Sequence, residues 1–440
     1  MQRQFCCGSP ARTLREHLPI PEVADRRTPD YLMPTPRDVR FHLAPTLALL
    51  AALMAASVAF AASDPAGEIA ARLQYYVDHH MLAGAVTVVT SKEQALDVET
   101  VGFADVAALK PMAANTLFWI ASMTKPITAT ALMMVVDEGK VSVNDPVEKY
   151  LPEFKGMMVS VERDDNHVLL RRAKGVITIK SILTHTSGLP YMARTESRLD
   201  MLPLRENVDF VYPLLTLQAE PSSTYSYSNV GVEIVARVIE VVSGMSYEDF
   251  LQQRLLTPLG MKDTTFWPNA EQLGRLAKSY KVNAARTGLE ETPCFLLTYP
   301  LDDRRRAPSP SGGLFSTATD ISIFSRMILN NGVYAGHRYL SESAVAEMTS
   351  TQTGDLPVGG NEAWGYGYCW NTVRQFHKEI DPVRTMGSFG HGGAYCTMMW
   401  IDRPRQRATV FMIQCADLAE RENAAMWTAF MRAAEAKFGN

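Results

Sequence analysis

Hydrophobic residues recur at helical spacing near the front of the chain, and a strand-like run follows them. Ile69, Leu73 and Val77 lie four residues apart behind a helix start at Asp64-Pro65, which predicts a helix to about residue 80. The run 85–90 is short and rich in β-branched residues, and it predicts a strand. This part of the chain is therefore predicted to be a helix followed by a strand.

The last part of the chain has the same two kinds of element in reverse order. Strand-like runs occupy residues 365–373, 393–402 and 408–414, and the turn between the last two is a hairpin signal. A final helix is predicted from Leu418 to about Lys437. Strands at both chain ends, each beside a helix, predict an α/β (α+β) fold. In it, one antiparallel sheet is built from both chain ends and flanked by helices.

The middle of the chain, about residues 140–290, is predicted to be mostly helical with long loops. The helices predicted there and just beyond are 178–183, 230–242, 246–255 and 320–329, and a small hairpin is predicted at 157–172. We therefore predict one domain over residues 62–440. Its α/β part covers about 62–135 and 290–440, with the mainly helical part inserted between them.

The first 61 residues are predicted to contain an export signal. Arg37 and Arg40 precede an apolar run from Leu43 to Phe60, and Ala59-Phe-Ala61 fits the small-x-small cleavage pattern. We predict a signal peptide at 33–61 and a disordered leader or start-site artefact at 1–32, so the protein is expected to be periplasmic or secreted. An uncleaved membrane anchor is the alternative.

Composition excludes some classes of function. The chain has 440 residues and a net charge of -4, and it has no dense basic cluster with interleaved aromatics, so nucleic-acid binding is not expected. Four cysteines fall in the predicted mature chain: Cys294, Cys369, Cys396 and Cys415. They can pair in three ways or stay buried and reduced. Their irregular spacing matches no zinc signature, and we predict neither a metal nor a cofactor.

The segment Ser122-Met-Thr-Lys125 opens a predicted buried helix. Pro126 lies in its first turn, residues 127–136 are almost wholly apolar, and Gly139 ends it. Serine and lysine at positions i and i+3 share one face of a helix. They are a candidate pair of nucleophile and activating base. Alone, the motif is a weak signal, because a capping serine and a surface lysine give the same pattern.

Two further elements carry polar groups suited to catalysis. Tyr227-Ser-Asn229 lies before the helix predicted at 230–242, and His391-Gly392-Gly393 is predicted to begin a strand. Tyrosine can carry a proton, asparagine can orient a carbonyl or an amine, and glycines allow a substrate backbone to approach a strand. Each element alone is also compatible with an ordinary loop or turn.

Together, and in this order, the three elements resemble those of the class C β-lactamase superfamily. It includes class C β-lactamases, D-Ala-D-Ala carboxypeptidases, D-aminopeptidases and β-lactamase-like esterases. The likeness covers about residues 66–435 and includes Leu183-Thr-His-Thr-Ser-Gly-Leu-Pro190, Thr257-Pro-Leu-Gly-Met261 and Gly312-Gly-Leu-Phe-Ser-Thr-Ala318. It implies a β-lactamase/transpeptidase-like fold and a serine hydrolase that forms an acyl-enzyme. The related signature set has S-D-N and K-T-G where this chain has tyrosine and histidine.

The resemblance implies a role for each residue of the three elements. Ser122 is the nucleophile, and Lys125 and Tyr227 lie beside it as a coupled pair, of which either can take the serine proton. Asn229 holds the substrate carbonyl or the lysine amine. The backbone N–H groups of Ser122 and Ala394 form an oxyanion hole. His391 and Gly393 complete the substrate-binding residues.

His391 stands where the β-lactamases and carboxypeptidases of this superfamily carry a lysine that faces a substrate carboxylate. Histidine is mostly neutral at pH 7, and the D-aminopeptidases and many esterases also have histidine there. We therefore predict small esters, amides or D-peptides as substrates. The alternatives are a β-lactamase or D-Ala-D-Ala carboxypeptidase, and a non-catalytic penicillin-binding-like scaffold. Ser187 is a weaker alternative nucleophile, because it lacks the G-x-S-x-G setting.

Overall fold

The structure is a computed structural model that describes residues 67–164, 166–193, 198–375, 383–418 and 420–439. The predicted leader and signal peptide lie outside these residues. Within them, no helix has both the length and the apolar character needed to cross a membrane.

Helices and strands alternate at the two ends of the described chain, and short helices dominate its middle. The α-helices are α1 (Glu68–Asp78), α2 (Thr124–Asp137), α3 (Ile179–Leu183), α4 (Leu204–Glu206), α5 (Asn229–Ser243), α6 (Tyr247–Leu251), α7 (Thr257–Leu259), α8 (Ala270–Arg275), α9 (Ala318–Leu329), α10 (Glu342–Thr349) and α11 (Glu420–Phe438). The strands are β1 (Gly84–Thr90), β2 (Ala95–Asp105), β3 (Lys110–Pro111), β4 (Leu117–Trp119), β5 (Met158–Arg163), β6 (Val168–Arg172), β7 (Ser279–Val282), β8 (Leu289–Thr292), β9 (Phe315–Thr317), β10 (Val333–Tyr334), β11 (His337–Arg338), β12 (Trp364–Tyr366), β13 (Asn371–Val373), β14 (Phe389–Gly392), β15 (Met398–Asp402) and β16 (Arg407–Met412).

One antiparallel sheet of eight strands is built from both ends of the chain. Its strand order is β12-β13-β14-β15-β16-β1-β2-β3, so the first strand pairs with the last. In that pair Val88 lies opposite Val410. The predicted fold class, a sheet made from both chain ends and flanked by helices, is confirmed.

Both faces of the sheet are covered, as the burial of all seven β1 residues requires. Side chains of successive strand residues point to opposite faces. Val89 belongs to a cluster with Leu73 of α1 and Phe430 of α11. Its neighbour Val88 belongs to the larger core, which also contains Ile127 of α2. The two terminal helices therefore cover one face, and the rest of the molecule covers the other.

Helix α2 is buried on all sides, as its apolar composition predicts. Twelve of its fourteen residues are buried. Helix α5 packs beside α2. Gly231, in the first turn of α5, allows this helix to approach α3 closely. A Cβ at this glycine would lie 2.9 Å from Cγ2 of Ile182 in α3. The N-terminal turn of α5 is therefore held against α3.

Two of the predicted strands are wrong in extent, and several strands were not predicted. The run 365–373 forms two strands, β12 and β13, because Cys369 adopts a φ of 59° in the bend between them. The run predicted from Gly393 begins with a turn instead, where Cys396 has a φ of 66°, and β15 begins only at Met398. Strand β2 has an alternating but largely exposed pattern, and it was not predicted.

Candidate active site

Ser122 lies in a tight turn directly before α2. A single 3₁₀ turn, Ala121–Met123, joins β4 to this helix, and Ala121 has a φ of 43°. An alanine in the left-handed region is strained, and such strain concentrates at functional sites. Ser122 is half-buried at the mouth of the turn, whereas Lys125, one turn further, is fully buried.

The amino group of Lys125 connects three separate parts of the chain. Its Nζ lies 3.1 Å from Ser122 Oγ, 2.7 Å from Asn229 Oδ1 and 2.6 Å from the carbonyl oxygen of Ser311. The last two partners can only accept hydrogen bonds. Two N–H bonds of the amine are therefore committed to them, and its third position at the serine can hold either a proton or a lone pair.

Tyr227 and Asn229 are brought to this amine by the start of α5. Ser228 caps the helix, since its Oγ accepts the N–H of Gly231 at 3.0 Å. Asn229 is the first helical residue, and its own N–H donates to the carbonyl of Tyr191 at 2.9 Å. The ring centroid of Tyr227 lies 4.7 Å from Lys125 Nζ. The structure thus brings Ser122, Lys125, Tyr227 and Asn229 together.

His391 lies inside β14 and not at the start of a strand, because it is paired in register with Met399 of β15. Its side chain is buried, with Nδ1 2.7 Å from the carbonyl oxygen of Gly392 and Nε2 3.0 Å from the hydroxyl of Tyr366. Burial, followed by the charge of Lys125, lowers the pKa of His391 to about 3. The neutral ring therefore donates from Nδ1 to Gly392, and Nε2 accepts from Tyr366.

Gly393 and Ala394 lie in the turn between β14 and β15. The turn is closed by the N–H of Gly393, which donates to the carbonyl of Thr397 at 2.8 Å. A Cβ on Gly393 would lie 2.5 Å from the carbonyl oxygen of Ile120, so only glycine allows this approach. The hydroxyl of Thr397 donates to that same carbonyl at 3.3 Å. These contacts hold the turn against the segment that leads into Ser122.

Sequence reasoning missed two residues that hold the site. One is Ser311, whose carbonyl accepts from Lys125 and whose hydroxyl donates to the buried carboxylate of Glu233 at 3.3 Å. The other is His185, whose Nδ1 accepts the N–H of Ser228 at 3.2 Å. His185 lies in a segment that carries the family resemblance and Ser311 directly precedes another, but a contact through a main-chain atom leaves no recognisable side-chain motif.

The weaker candidate residues from the sequence are buried in the structure and lie outside the group around Lys125. Ser187 is buried, and its Oγ accepts the N–H of Leu189 at 3.3 Å. The cysteines at 294, 369, 396 and 415 are all buried, and no disulfide joins any two of these four. In the part of the chain that the structure describes, no three His, Cys, Asp or Glu side chains form a group that could hold a metal ion.

Comparisons with known proteins identify the family to which this chain belongs. The sequence model of the Beta-lactamase family matches residues 66–430. Protein Rv1367c of Mycobacterium tuberculosis is 30% identical over 403 residues, which cover 84% of this chain and 96% of that protein. Esterase EstB of Burkholderia gladioli is 27% identical over 374 residues, which cover 77% of this chain and 88% of EstB.

A solved structure shows the same fold. EstCE1, described as a hydrolase with promiscuous acyltransferase activity, superposes with a TM-score of 0.70 at 20% identity, and the match covers 84% of this chain and 98% of EstCE1. The match of the family model over most of the chain, with an esterase among the relatives, shows a serine hydrolase. The chain belongs to the Beta-lactamase family.

Proposed function

We propose that this protein hydrolyses small esters, or amides and peptides of D-amino acids, through an acyl-enzyme on Ser122. The observation that carries the proposal is the amine of Lys125, which is 3.1 Å from Ser122 Oγ while two carbonyl oxygens fix its other hydrogen bonds. A serine directly before a buried helix also has its developing negative charge near the positive end of the helix dipole.

In this mechanism Ser122 Oγ attacks the carbonyl carbon of the substrate. The serine proton passes to the coupled pair of Lys125 and Tyr227, and from there to the leaving alcohol or amine, which departs as the acyl-enzyme forms. Water then attacks the acyl carbon and gives its proton to the same pair. The bond from the acyl carbon to Ser122 Oγ breaks, and Oγ takes that proton as the acid product leaves. Either member of the pair can act as the base, since Nζ lies only 4.7 Å from the ring centroid of Tyr227 and groups this close titrate together.

The oxyanion of each tetrahedral intermediate is proposed to bind to the backbone N–H groups of Ser122 and Ala394. The hydroxyl of Thr397, bonded to the carbonyl of Ile120, ties the turn that carries Ala394 to the turn that carries Ser122. An oxyanion hole held in this way needs little reorganisation during the reaction. Preorganised donors of this kind stabilise the transition state for that reason.

The neutral state of His391 supports small uncharged substrates over β-lactams and D-Ala-D-Ala peptides. Its two ring nitrogens are bonded to Gly392 and Tyr366, and its pKa of about 3 leaves no positive charge at pH 7. Among the described residues, Lys125 is the only lysine that is fully buried. Within the described ranges, a substrate carboxylate therefore has no buried lysine ammonium to meet besides that of Lys125. The name of the relative EstB supports an ester as the first substrate to test.

The decisive experiment is covalent labelling with a fluorophosphonate. Wild type should gain probe mass on the peptide that contains Ser122, and Ser122→Ala should gain none. Ser187→Ala is the matched control and should label like wild type. A second measurement compares kcat/KM for a p-nitrophenyl ester, a D-amino-acid p-nitroanilide and a chromogenic cephalosporin. Labelling that persists in Ser122→Ala, or a cephalosporin hydrolysed as fast as the ester, contradicts the proposal.

We further propose that the protein is exported and cleaved after Ala61. The support is the sequence alone: two arginines, an apolar run and a small-residue cleavage site. N-terminal sequencing of the protein recovered from the periplasm or the culture medium should begin at residue 62. Protein that stays in the membrane and still carries residues 33–61 would show an anchor instead.

A further inference from the structure

His185 holds the chain on both sides of Tyr227. Its carbonyl oxygen accepts the N–H of Ser226 at 2.7 Å, and its ring Nδ1 accepts the N–H of Ser228 at 3.2 Å. Tyr227 lies between these two donors in the sequence. One residue therefore fixes the peptide groups before and after the proposed proton carrier.

The backbone of His185 is adapted to this double contact. The residue follows α3 and has a φ of 56°, in the left-handed region that asparagine tolerates better than most side chains. The turn directs both the carbonyl and the ring towards residues 226–228. The N–H of Ser228 is buried with its residue, which is 1% exposed, so removal of the imidazole would leave a buried donor unpaired.

The ring also packs on the aromatic side chains of the site. Its centroid lies 4.3 Å from that of Tyr227 and 5.0 Å from that of Tyr366. Burial first, then the charges of Lys125 and His391, lower the pKa of His185 well below 6.5, so the ring is neutral. With Nδ1 accepting, the proton sits on Nε2, which has no hydrogen-bond partner among the described residues. The ring therefore makes one hydrogen bond, and it is the one to Ser228.

We propose that His185 is a positioning residue for the proton-transfer pair, which acts by holding Tyr227 against Lys125. The inference rests on the proposed function, since it assigns His185 to the acylation of Ser122. It predicts that an acceptor at the place of Nδ1 matters, and that the rest of the imidazole matters less.

Two variants of equal shape separate these contributions. His185→Asn places Oδ1 where Nδ1 lies and suits the left-handed backbone, whereas His185→Leu has the same branching without an acceptor. The readout is the rate at which a fluorophosphonate acylates Ser122, which needs no knowledge of the natural substrate. His185→Leu should lose roughly 10- to 100-fold in this rate, the usual cost of a misplaced catalytic group. His185→Asn should stay within about fivefold of wild type, and exposed His337→Asn is the control that should not change.

A double-variant comparison distinguishes positioning from general destabilisation. In a Tyr227→Phe background, His185→Leu should reduce the acylation rate by less than about threefold, because the group it positions is already gone. If His185→Leu does not fold, His185→Gln replaces it. The side chain of glutamine is one methylene longer than that of asparagine, so its amide oxygen lies beyond the place of Nδ1. KM for the ester should change little in every folded variant, while kcat falls in His185→Leu or its substitute.

Three results would overturn the inference. The first is acylation of His185→Leu, or of its substitute, within threefold of wild type. The second is an equal loss in the presence and absence of the Tyr227 hydroxyl, which would mean that His185 supports the fold alone. The third is a wild type that is not labelled at Ser122, which would remove the proposed function together with this inference. The first two leave the proposed function intact.

Discussion

The arrangement around Lys125 makes its protonation state sensitive to the residue at 229. Asn229 Oδ1 accepts from the amine at 2.7 Å without carrying charge. A carboxylate at the same place stabilises the ammonium form and holds the proton that the amine has to exchange with Ser122. In a protein, an opposite charge at this distance shifts a pKa by roughly one to three units.

Asn229→Asp is therefore expected to move the acidic limb of the pH profile of kcat/KM upwards by roughly one to three pH units. Activity at pH 7 should fall and be recovered in part above pH 9. Stopped assays with a neutral ester between pH 5 and 10 measure this shift. Asn229→Leu should lose activity at every pH without moving the limb, and an unshifted profile in Asn229→Asp would mean that the amine does not take part in proton transfer.

At the scale of single residues, the sequence identified side chains that carry a motif but not those that support them. Ser122, Lys125, Tyr227 and Asn229 stand in short patterns with helical or capping context, and the structure places them together. The contact of Lys125 with Ser311 uses a carbonyl oxygen, which every residue has. No pattern of residue types can indicate such a contact before the fold is known.

At the scale of elements, long periodic segments were predictable and short bends were not. Helix α5 matches its predicted range closely because its apolar stripe ends at Gly244, which has a φ of 72°. The bends at Cys369 and Cys396 also need positive φ values, but cysteine is not a residue that signals them. Two strand-like runs were therefore extended through turns. His391 was placed at a strand start for the same reason.

The turn between β14 and β15 is the element on which the proposed oxyanion hole depends. Gly393 has no room for a Cβ beside Ile120, and Thr397 is bonded to the same carbonyl. The turn that follows strand β14 is thus held next to the segment that leads into α2. From the sequence, Gly393 was predicted to lie in a strand and this turn was not predicted, because the partner strand and the contact of Thr397 depend on the register of the sheet.

At the scale of the whole molecule, buried titratable groups set how stability changes with pH. His391 has a pKa of about 3 in the folded protein, against about 6.5 for an unfolded histidine. Between these values the unfolded state binds one more proton. The free energy of unfolding therefore falls as the pH drops below 6.5, by about 1.4 kcal/mol per pH unit for this group. His185 acts in the same direction, since its pKa is lowered too.

Asp320 opposes this trend over part of the range. Burial raises its pKa to about 6, although it accepts from the hydroxyl of Thr264 and the N–H of Asp263. The folded protein therefore binds a proton below pH 6 that an unfolded aspartate binds only near pH 4.

We expect His391→Asn to reduce the slope of unfolding free energy against pH by about 1.4 kcal/mol per unit between pH 4 and 6.

Urea unfolding at pH 4, 5, 6 and 7, followed by tryptophan fluorescence, measures that slope in wild type and variant. The comparison between the two proteins cancels Asp320 and the carboxylates that both share. His337→Asn, at an exposed histidine, is the control and should retain the wild-type slope. Equal slopes in wild type and His391→Asn would mean that His391 is not held neutral by its surroundings.

The pairing of β1 with β16 has a consequence for how the protein is made. Strand β1 ends at Thr90 and can pair with β2 at once, but its other edge stays open until the chain has been synthesised beyond Arg407. Closing so long a loop is slow, and an open edge of buried residues invites pairing with other chains. The risk of aggregation is therefore highest in the interval between the synthesis of β2 and that of β16. A chaperone or a translocation channel that shields residues 84–90 during this interval should raise the yield of folded protein.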